Sequence, residues 1–131
     1  MKILFNHADS FEFEATRKAI KSAKELSDED RKGQAKNVLV TFIAVEKVDE
    51  GKEDAVVDRA YSEIKDVSGK VGSDAIVIYP YAHLSSQLSS PAVAEAVLQK
   101  LYEKVTQEYD AIKALFGWYK AFRIENKGHP L

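Results

Sequence analysis

The sequence contains no cysteine among its 131 residues. The chain therefore forms no disulfide framework, and it offers neither a thiolate nucleophile nor a sulfur ligand for a metal. Its three histidines, at positions 7, 83 and 129, show no i, i+4 pairing and no His-x-x-x-His spacing, which argues against a zinc site. We therefore expect neither a metal ion nor another cofactor in this domain.

Several motifs with known chemistry are also absent. The chain contains no Walker loop and no Gly-x-Gly-x-x-Gly turn for nucleotide phosphates. Ser85 and Ser86 lack the Gly-x-Ser-x-Gly elbow that would expose a serine nucleophile. They lie shortly before a predicted helix, where serines commonly cap the first turn, so we predict a structural role for both.

Long apolar runs are scarce. The longest spans residues 38–45, eight residues with Thr41 inside it, whereas a helix needs roughly 20 apolar residues to cross a bilayer. The opening Met1-Lys2-Ile3 is typical of a strand rather than of a signal peptide. The sequence predicts a cytoplasmic protein without a membrane partner, and its length suits one domain with its own core.

The balance of charge argues against a domain that holds nucleic acid by general electrostatics. The chain has 19 basic and 21 acidic residues, a net charge of −2. Residues 111–131 nevertheless carry a local charge of +3, which leaves −5 for residues 1–110. The charged residues of that stretch are Lys113, Lys120, Arg123, Lys127 and Glu125. This end of the chain either meets a small anionic group or shows a chance surface fluctuation.

Two continuous apolar segments predict strands that are covered on both faces. They are residues 37–47, rich in valine, isoleucine, phenylalanine and threonine, and residues 76–79. Pro80 has no N–H to donate, so the chain must leave the sheet there. It carries Tyr81 and His83 to the carboxyl end of the strand, where ligands usually sit in sheets that are crossed by helices.

Two further segments show the helical period. Residues 53–72 have apolar side chains at positions 56, 57, 60, 61, 64, 67 and 71, and Gly69 and Gly72 are expected to end this helix. Ser90 and Pro91 begin the second helix as a capping serine and a first-turn proline. The sequence thus predicts an α/β fold of the mixed α+β kind, in which two amphipathic helices cover one face of a mixed sheet.

The amino-terminal segments carry weaker signals. Residues 2–7 predict a short strand, and residues 7–10 predict a turn. Residues 11–14 alternate over too short a span to distinguish a strand from the start of a helix. Residues 16–36 are strongly charged with a weak helical pattern, so we predict a surface excursion of helix and loop.

Residues 114–124 predict a strand, or a hairpin kinked at Gly117. With a strand period of two, the residues that share a face with Lys120 are Trp118, Phe122 and Ile124. Because burying an unpaired ammonium group is costly, Lys120 either extends to water at the sheet rim or faces a polar pocket. His83 also has two interpretations, a hydrogen-bonding role and a catalytic one. A lone histidine in such a loop is more often a hydrogen-bonding residue than a catalyst.

Three separated motifs carry a family resemblance. They are Tyr-Pro-Tyr-Ala-His-Leu-Ser-Ser at 79–86, Phe-Gly-Trp-Tyr-Lys-Ala-Phe at 116–122 and Lys-Gly-His-Pro-Leu at 127–131. Together with residues 39–50 they resemble the N-terminal editing domain of archaeal threonyl-tRNA synthetases, in order over essentially the whole chain. The resemblance implies a D-aminoacyl-tRNA deacylase-like fold and a homodimer. It also implies that residues 1–131 form a single editing domain, the N-terminal part of a longer synthetase.

The resemblance also implies the site residues. The functional histidine of the family falls on His83 and its functional lysine on Lys120. The pocket walls fall on Val45, Pro80, Tyr81, Ala82, Phe116 and Tyr119. Trp118 stands where we expect tyrosine in relatives, a change that keeps an aromatic wall. The family carries an acidic residue shortly after His-Pro-Leu, whereas this sequence stops at Leu131, so we expect one contributor to lie beyond it.

The activity that the resemblance implies is proofreading, in which L-serine wrongly attached to threonine tRNA is hydrolysed. The expected partners are the 3′ end of that tRNA and the remainder of the synthetase. A second, size-excluding site makes sense because one synthetic pocket distinguishes serine from threonine by only about 1–3 kcal/mol. The alternatives are a D-aminoacyl-tRNA deacylase and a non-catalytic module for tRNA docking or dimerisation. Since only His83 and Lys120 are side-chain candidates, we expect the ribose 2′-hydroxyl to assist the reaction.

Overall fold

The computed structural model describes residues 1–129 as a five-stranded mixed sheet with two helices. The strands are β1 Lys2–Lys18, β2 Lys32–Ala44, β3 Ala75–Pro80, β4 Ala111–Lys113 and β5 Trp118–Asn126, and the helices are α1 Glu53–Val71 and α2 Pro91–Thr106. Their order in the sheet is β4-β3-β2-β1-β5. The β2–β3 and β3–β4 pairs are parallel, and the β1–β2 and β1–β5 pairs are antiparallel. None of the helices described here is long and apolar enough to cross a membrane.

The two apolar segments are interior strands, as predicted. β2 lies between β1 and β3, and β3 lies between β2 and β4. β2 begins earlier than expected, at Lys32, and ends at Ala44 rather than at residue 47. Pro80 is the last paired residue of β3, opposite Ile43, and the chain then forms a 3-10 turn at Ala82–Leu84.

The helices begin and end close to the predicted residues. Gly72 ends α1 in the left-handed region at φ 70°, whereas Gly69 stays inside the helix. Ser90 caps α2, because its Oγ accepts a hydrogen bond from the Val93 N–H at 3.3 Å, and Pro91 occupies the first turn. Both helices pack on one face of the sheet. Their buried contacts include Val57, Ile64, Val97 and Leu101 against Leu39, Ile43, Ile76 and Ile78.

Two predictions for the amino-terminal segments were wrong. Residues 7–10 do not form a turn, because β1 continues to Lys18 and absorbs an irregularity in its register between Ala8 and Ser10. Residues 16–36 contain no helix; the ends of β1 and β2 flank turns at 19–31. The apolar residues of that weak helical pattern pack instead around the buried Trp118, which a local pattern could not reveal.

The hairpin alternative for residues 114–124 was also wrong. β4 and β5 lie at opposite edges of the sheet, and residues 114–117 connect them. β1 is 17 residues long and presents an edge along which β5 pairs, from Lys18 opposite Trp118 to Ala8 opposite Asn126. That long edge provides more backbone hydrogen bonds than the three-residue β4 could.

The sheet curls strongly around the face opposite the two helices. The ring of Phe122 on β5 lies 5.5 Å from that of Phe42 on β2 and 5.6 Å from that of Tyr79 on β3, between centroids. In a flat sheet, three strand spacings would separate β5 from β3 by about 14 Å. The curl therefore brings the start of β5 back towards the end of β3, and a cavity forms between them.

Candidate functional site

A cavity of about 320 Å³ lies where the carboxyl ends of β2 and β3 meet the start of β5. All the site residues that the sequence predicted line it. They are His83, Lys120, Val45, Pro80, Tyr81, Ala82, Phe116 and Tyr119. They come from the end of β2, the turn after β3, the connection from β4 and the start of β5. The curl of the sheet is what brings these distant parts of the chain together.

Lys120 faces the cavity rather than water at the sheet rim. Its Nζ donates to the carbonyl oxygens of Trp118 at 2.8 Å and Leu115 at 3.3 Å. The same nitrogen lies 5.2 Å from the ring centroid of Tyr79, close enough for a cation–π contact. Burial lowers the pKa of Lys120 to about 8. No carboxylate within residues 1–129 forms an ion pair with it.

His83 lies on the exposed side of the cavity, in the 3-10 turn after β3. Its ring meets the ring of Tyr81 edge-on, with 5.3 Å between centroids. Tyr81 in turn packs against Phe42 at 5.1 Å. Among the described residues no side chain holds His83 through a hydrogen bond, so aromatic contacts and the turn itself set its position.

Backbone hydrogen bonds join the loop after β2 to the loop after β3. The N–H of Lys47 donates to the carbonyl of Gln87 at 2.8 Å, and the N–H of Ser89 donates to the carbonyl of Val45 at 3.0 Å. The two loops therefore hold the cavity wall as one unit. The Val45 carbonyl has a second lone pair, so it can still accept a hydrogen bond from a ligand.

A side-chain contact reinforces this junction. Ser85 does have a structural role, but it does not cap α2. Its Oγ–H donates to Glu46 Oε2 at 2.6 Å, and its Oγ accepts a hydrogen bond from the Gln87 N–H at 3.0 Å. The Met1 amino group lies 3.1 Å from the other carboxylate oxygen of Glu46. The Ser85 hydrogen bond first, and then the amino group, lower the pKa of Glu46. Glu46 is thus held as a carboxylate behind the cavity wall.

The chemistry available in the cavity is narrow. Among residues 1–129 its lining holds no carboxylate, thiol or aliphatic hydroxyl group. Its ionisable groups are His83, Lys120 and the phenols of Tyr79, Tyr81 and Tyr119. Burial and then the neighbouring Tyr81 raise the pKa of Tyr79, so its phenol stays neutral. No three potential ligands within residues 1–129 cluster to hold a metal ion.

Part of the lining escaped sequence reasoning. Ala19 and Ile20 form one wall, although they belong to the segment that was expected to be a surface excursion. A Cβ on Gly117 would come within 2.9 Å of Ala23 and 3.0 Å of Ile20, and Gly117 has φ +88°. The close approach therefore needs glycine at this position. The only local signal for this wall is the weak apolar pattern inside a charged stretch.

Comparison with known proteins supports the resemblance seen in the sequence. The family described as the archaea-specific editing domain of threonyl-tRNA synthetase matches residues 1–131. Threonine–tRNA ligases of Pyrococcus furiosus and Pyrococcus horikoshii are each 48% identical over 132 residues, covering 100% of this chain and 21% of their own length. The ligase of Methanothrix thermoacetophila is 48% identical over 131 residues, with the same coverage. The chain thus spans about one fifth of these relatives.

The fold has a counterpart among solved structures. The c-Myc DNA Unwinding Element Binding Protein superposes with a TM-score of 0.69 over 98% of this chain and 93% of that protein. At 12% sequence identity this likeness shows the fold alone, and it confirms the expected mixed α+β architecture. The family match over all residues and the identity to the archaeal ligases lead to one conclusion. This chain belongs to the archaea-specific editing-domain family of threonyl-tRNA synthetases.

Proposed function

We propose that this domain removes L-serine from wrongly charged threonine tRNA by hydrolysis and spares threonyl-tRNA. The observation that carries the proposal is that one cavity gathers His83, Lys120 and the predicted wall residues from distant parts of the chain. Membership in the editing-domain family is consistent with proofreading. The remainder of the synthetase is the proposed partner, since the relatives extend well beyond this domain.

Lys120 has the donors that such a substrate needs. An ammonium group carries three N–H donors, and the carbonyls of Leu115 and Trp118 take two of them. The third remains for the carbonyl of an aminoacyl ester in the cavity. The backbone around Val45 and Ala82 also lines the cavity and offers groups for the amino end of serine. The proposed selectivity requires the bound serine side chain to pack so closely against the apolar lining that no space is left for an added methyl.

The proposed activity predicts a clear pattern of substrates. The 131-residue domain should release serine from seryl-tRNA specific for threonine and leave threonyl-tRNA intact. The measurement is the rate of deacylation of both substrates and of a D-aminoacyl-tRNA. Fast cleavage of the D-aminoacyl substrate with intact seryl-tRNA would favour a D-aminoacyl-tRNA deacylase. Binding of tRNA without hydrolysis, also with the chain extended beyond Leu131, would favour a docking module.

We also propose that the domain assembles as a homodimer. The edge strands β4 and β5 are unpaired on their outer sides within residues 1–129, and exposed strand edges tend to find partners. Phe122 on β5 is 40% exposed beside the aromatic cluster of the curled sheet, which adds apolar surface to that region. Light scattering at micromolar concentration should give twice the monomer mass of 14.7 kDa. A mass equal to that of the monomer would contradict the proposal.

A further inference from the structure

The basic residues near the carboxyl end of the sequence are largely engaged within the chain. Three of the four meet polar partners on the surface: Lys127 pairs with Asp9, Arg123 with Glu12 and Lys113 with Gln99. The fourth, Lys120, lines the cavity. Further cations beside the cavity come from another part of the chain.

The segment of residues 17–24 supplies such cations. It reads Arg-Lys-Ala-Ile-Lys-Ser-Ala-Lys, with four basic residues and no acidic one, and we name it the basic tract. All four basic side chains are exposed. Ala19 and Ile20, in the middle of the tract, line the cavity. The guanidinium of Arg17 lies 5.0 Å from the ring centroid of Tyr119, which belongs to the same lining. The tract thus flanks the cavity.

The cations of the basic tract are available to a ligand. Within residues 1–129, Arg17 and Lys21 form no ion pair. Lys18 pairs with Glu25, and Lys24 lies 3.5 Å from a glutamate oxygen of α2 in an exposed pair. Exposed ion pairs contribute only about 0.2–1 kcal/mol, so an arriving anion can replace these partners at little cost.

The backbone of the basic tract is held against the cavity. The N–H of Ala19 donates to the carbonyl of Gly117 at 2.7 Å, and the indole N–H of Trp118 donates to the carbonyl of Lys24 at 2.9 Å. These bonds anchor the tract near both of its ends. A surface fixed before binding loses less conformational entropy when a ligand arrives.

We propose that the basic tract binds the phosphodiester backbone of the single RNA strand whose 3′ end enters the cavity. The inference rests on the proposed function, because that activity requires an aminoacylated RNA end at this place. Four cations along the basic tract beside the cavity match a strand with several phosphates, whereas a single anion would need only one of them. The binding is independent of base sequence, since phosphate contacts position a strand and carry no sequence information. The net charge of −2 keeps this contact local.

The test compares two substrates and two double variants. Seryl-tRNA carries the phosphates, whereas the serine ester of adenosine has the reacting end without them. Arg17→Gln with Lys21→Gln removes two cations from the basic tract. Lys52→Gln with Arg59→Gln removes two exposed cations at α1, which does not line the cavity. On seryl-tRNA we expect kcat/KM to fall about tenfold for the tract variant and to stay unchanged for the control.

The salt dependence and the small ester separate RNA contact from damage to the site. The slope of log kcat/KM against log salt concentration should become shallower by about 1.4, or about 0.7 for each lost phosphate contact. Hydrolysis of the adenosine ester should be unchanged. Equal losses on both substrates, no loss on either, or an equal loss in the control variant would each overturn the proposal. If the wild-type domain cleaves neither substrate, also with the chain extended beyond Leu131, the proposed function fails, and anisotropy with uncharged tRNA then tests the tract by itself.

Discussion

Removing the 2′-hydroxyl from the terminal adenosine of seryl-tRNA is expected to slow hydrolysis by about 100-fold or more, whereas His83→Ala should slow it by less than about tenfold. A positioned general acid or base contributes about 10²–10⁴ in rate. We assign this contribution to the rate to the 2′-hydroxyl of the substrate. The hydroxyl lies beside the ester on the same ribose, so it needs no further binding step to reach the reacting atoms.

The composition of the cavity is the reason for this assignment. Among residues 1–129 the lining offers no serine, cysteine or carboxylate to act as nucleophile or base. His83 is exposed and no neighbouring side chain orients it through a hydrogen bond, unlike the base of a catalytic triad. Preorganising a substrate hydroxyl against a trapped water can contribute on the order of 7–11 kcal/mol in the best cases. We therefore expect His83 and Lys120 to orient the ester while the ribose assists the attack.

Single-turnover hydrolysis, measured together with the dissociation constant of each substrate, checks this expectation. Binding of the 2′-deoxy substrate should be retained, since only the reacting step loses a partner. The proposed mechanism is wrong if the deoxy substrate is cleaved at the normal rate while His83→Ala is inactive. In that case the histidine side chain is the base.

Lys120→Met is expected to lower kcat/KM by about 10- to 100-fold, and Lys120→Arg by less. The loss of a hydrogen bond to a charged group costs about 1.5–3 kcal/mol, which sets this range. Arginine keeps the charge, but its planar guanidinium cannot place a donor where the compact ammonium did. A matched control is Lys65→Met on α1, where the exposed lysine pairs with Glu108 away from the cavity.

Stability and pH distinguish a functional cation from a structural one. Burial lowers the pKa of Lys120 to about 8 in the folded chain, below its ordinary value of 10.5. If the charged form binds substrate, kcat/KM should fall as pH rises through about 8. Between about pH 8 and 10.5, Lys120 binds more protons in the unfolded chain than in the folded one. Its contribution to the free energy of unfolding therefore increases as pH rises through this range. Compared with Lys120→Met, the wild type should therefore lose activity but gain melting temperature as pH rises from about 8 to 10.5. Equal activity of Lys120→Met and the wild type would show that the cation has no role.

Elements with local signals could be predicted from the sequence. The unbroken apolar run of β3 predicted an interior strand, because only a strand covered on both faces buries every side chain. The Ser90-Pro91 pair predicted where α2 begins, and Gly72 predicted where α1 ends, since caps act within one turn. The family motifs also identified eight of the residues that line the cavity, although their roles in catalysis stay predictions.

Which elements pack together depends on contacts between distant parts of the chain, and these could not be predicted from local patterns. β5 pairs with β1, at the far edge from β4, because β1 is long enough to offer the better partner edge. Residues 16–36 form strand ends and turns rather than a helix, because their apolar side chains pack against Trp118. The alternating pattern of β5 could not show whether the Lys120 side chain extends to water or faces a cavity. The curl of the sheet brought its ammonium over Tyr79 and beside two backbone carbonyls, and such contacts between distant residues follow from packing rather than from local order.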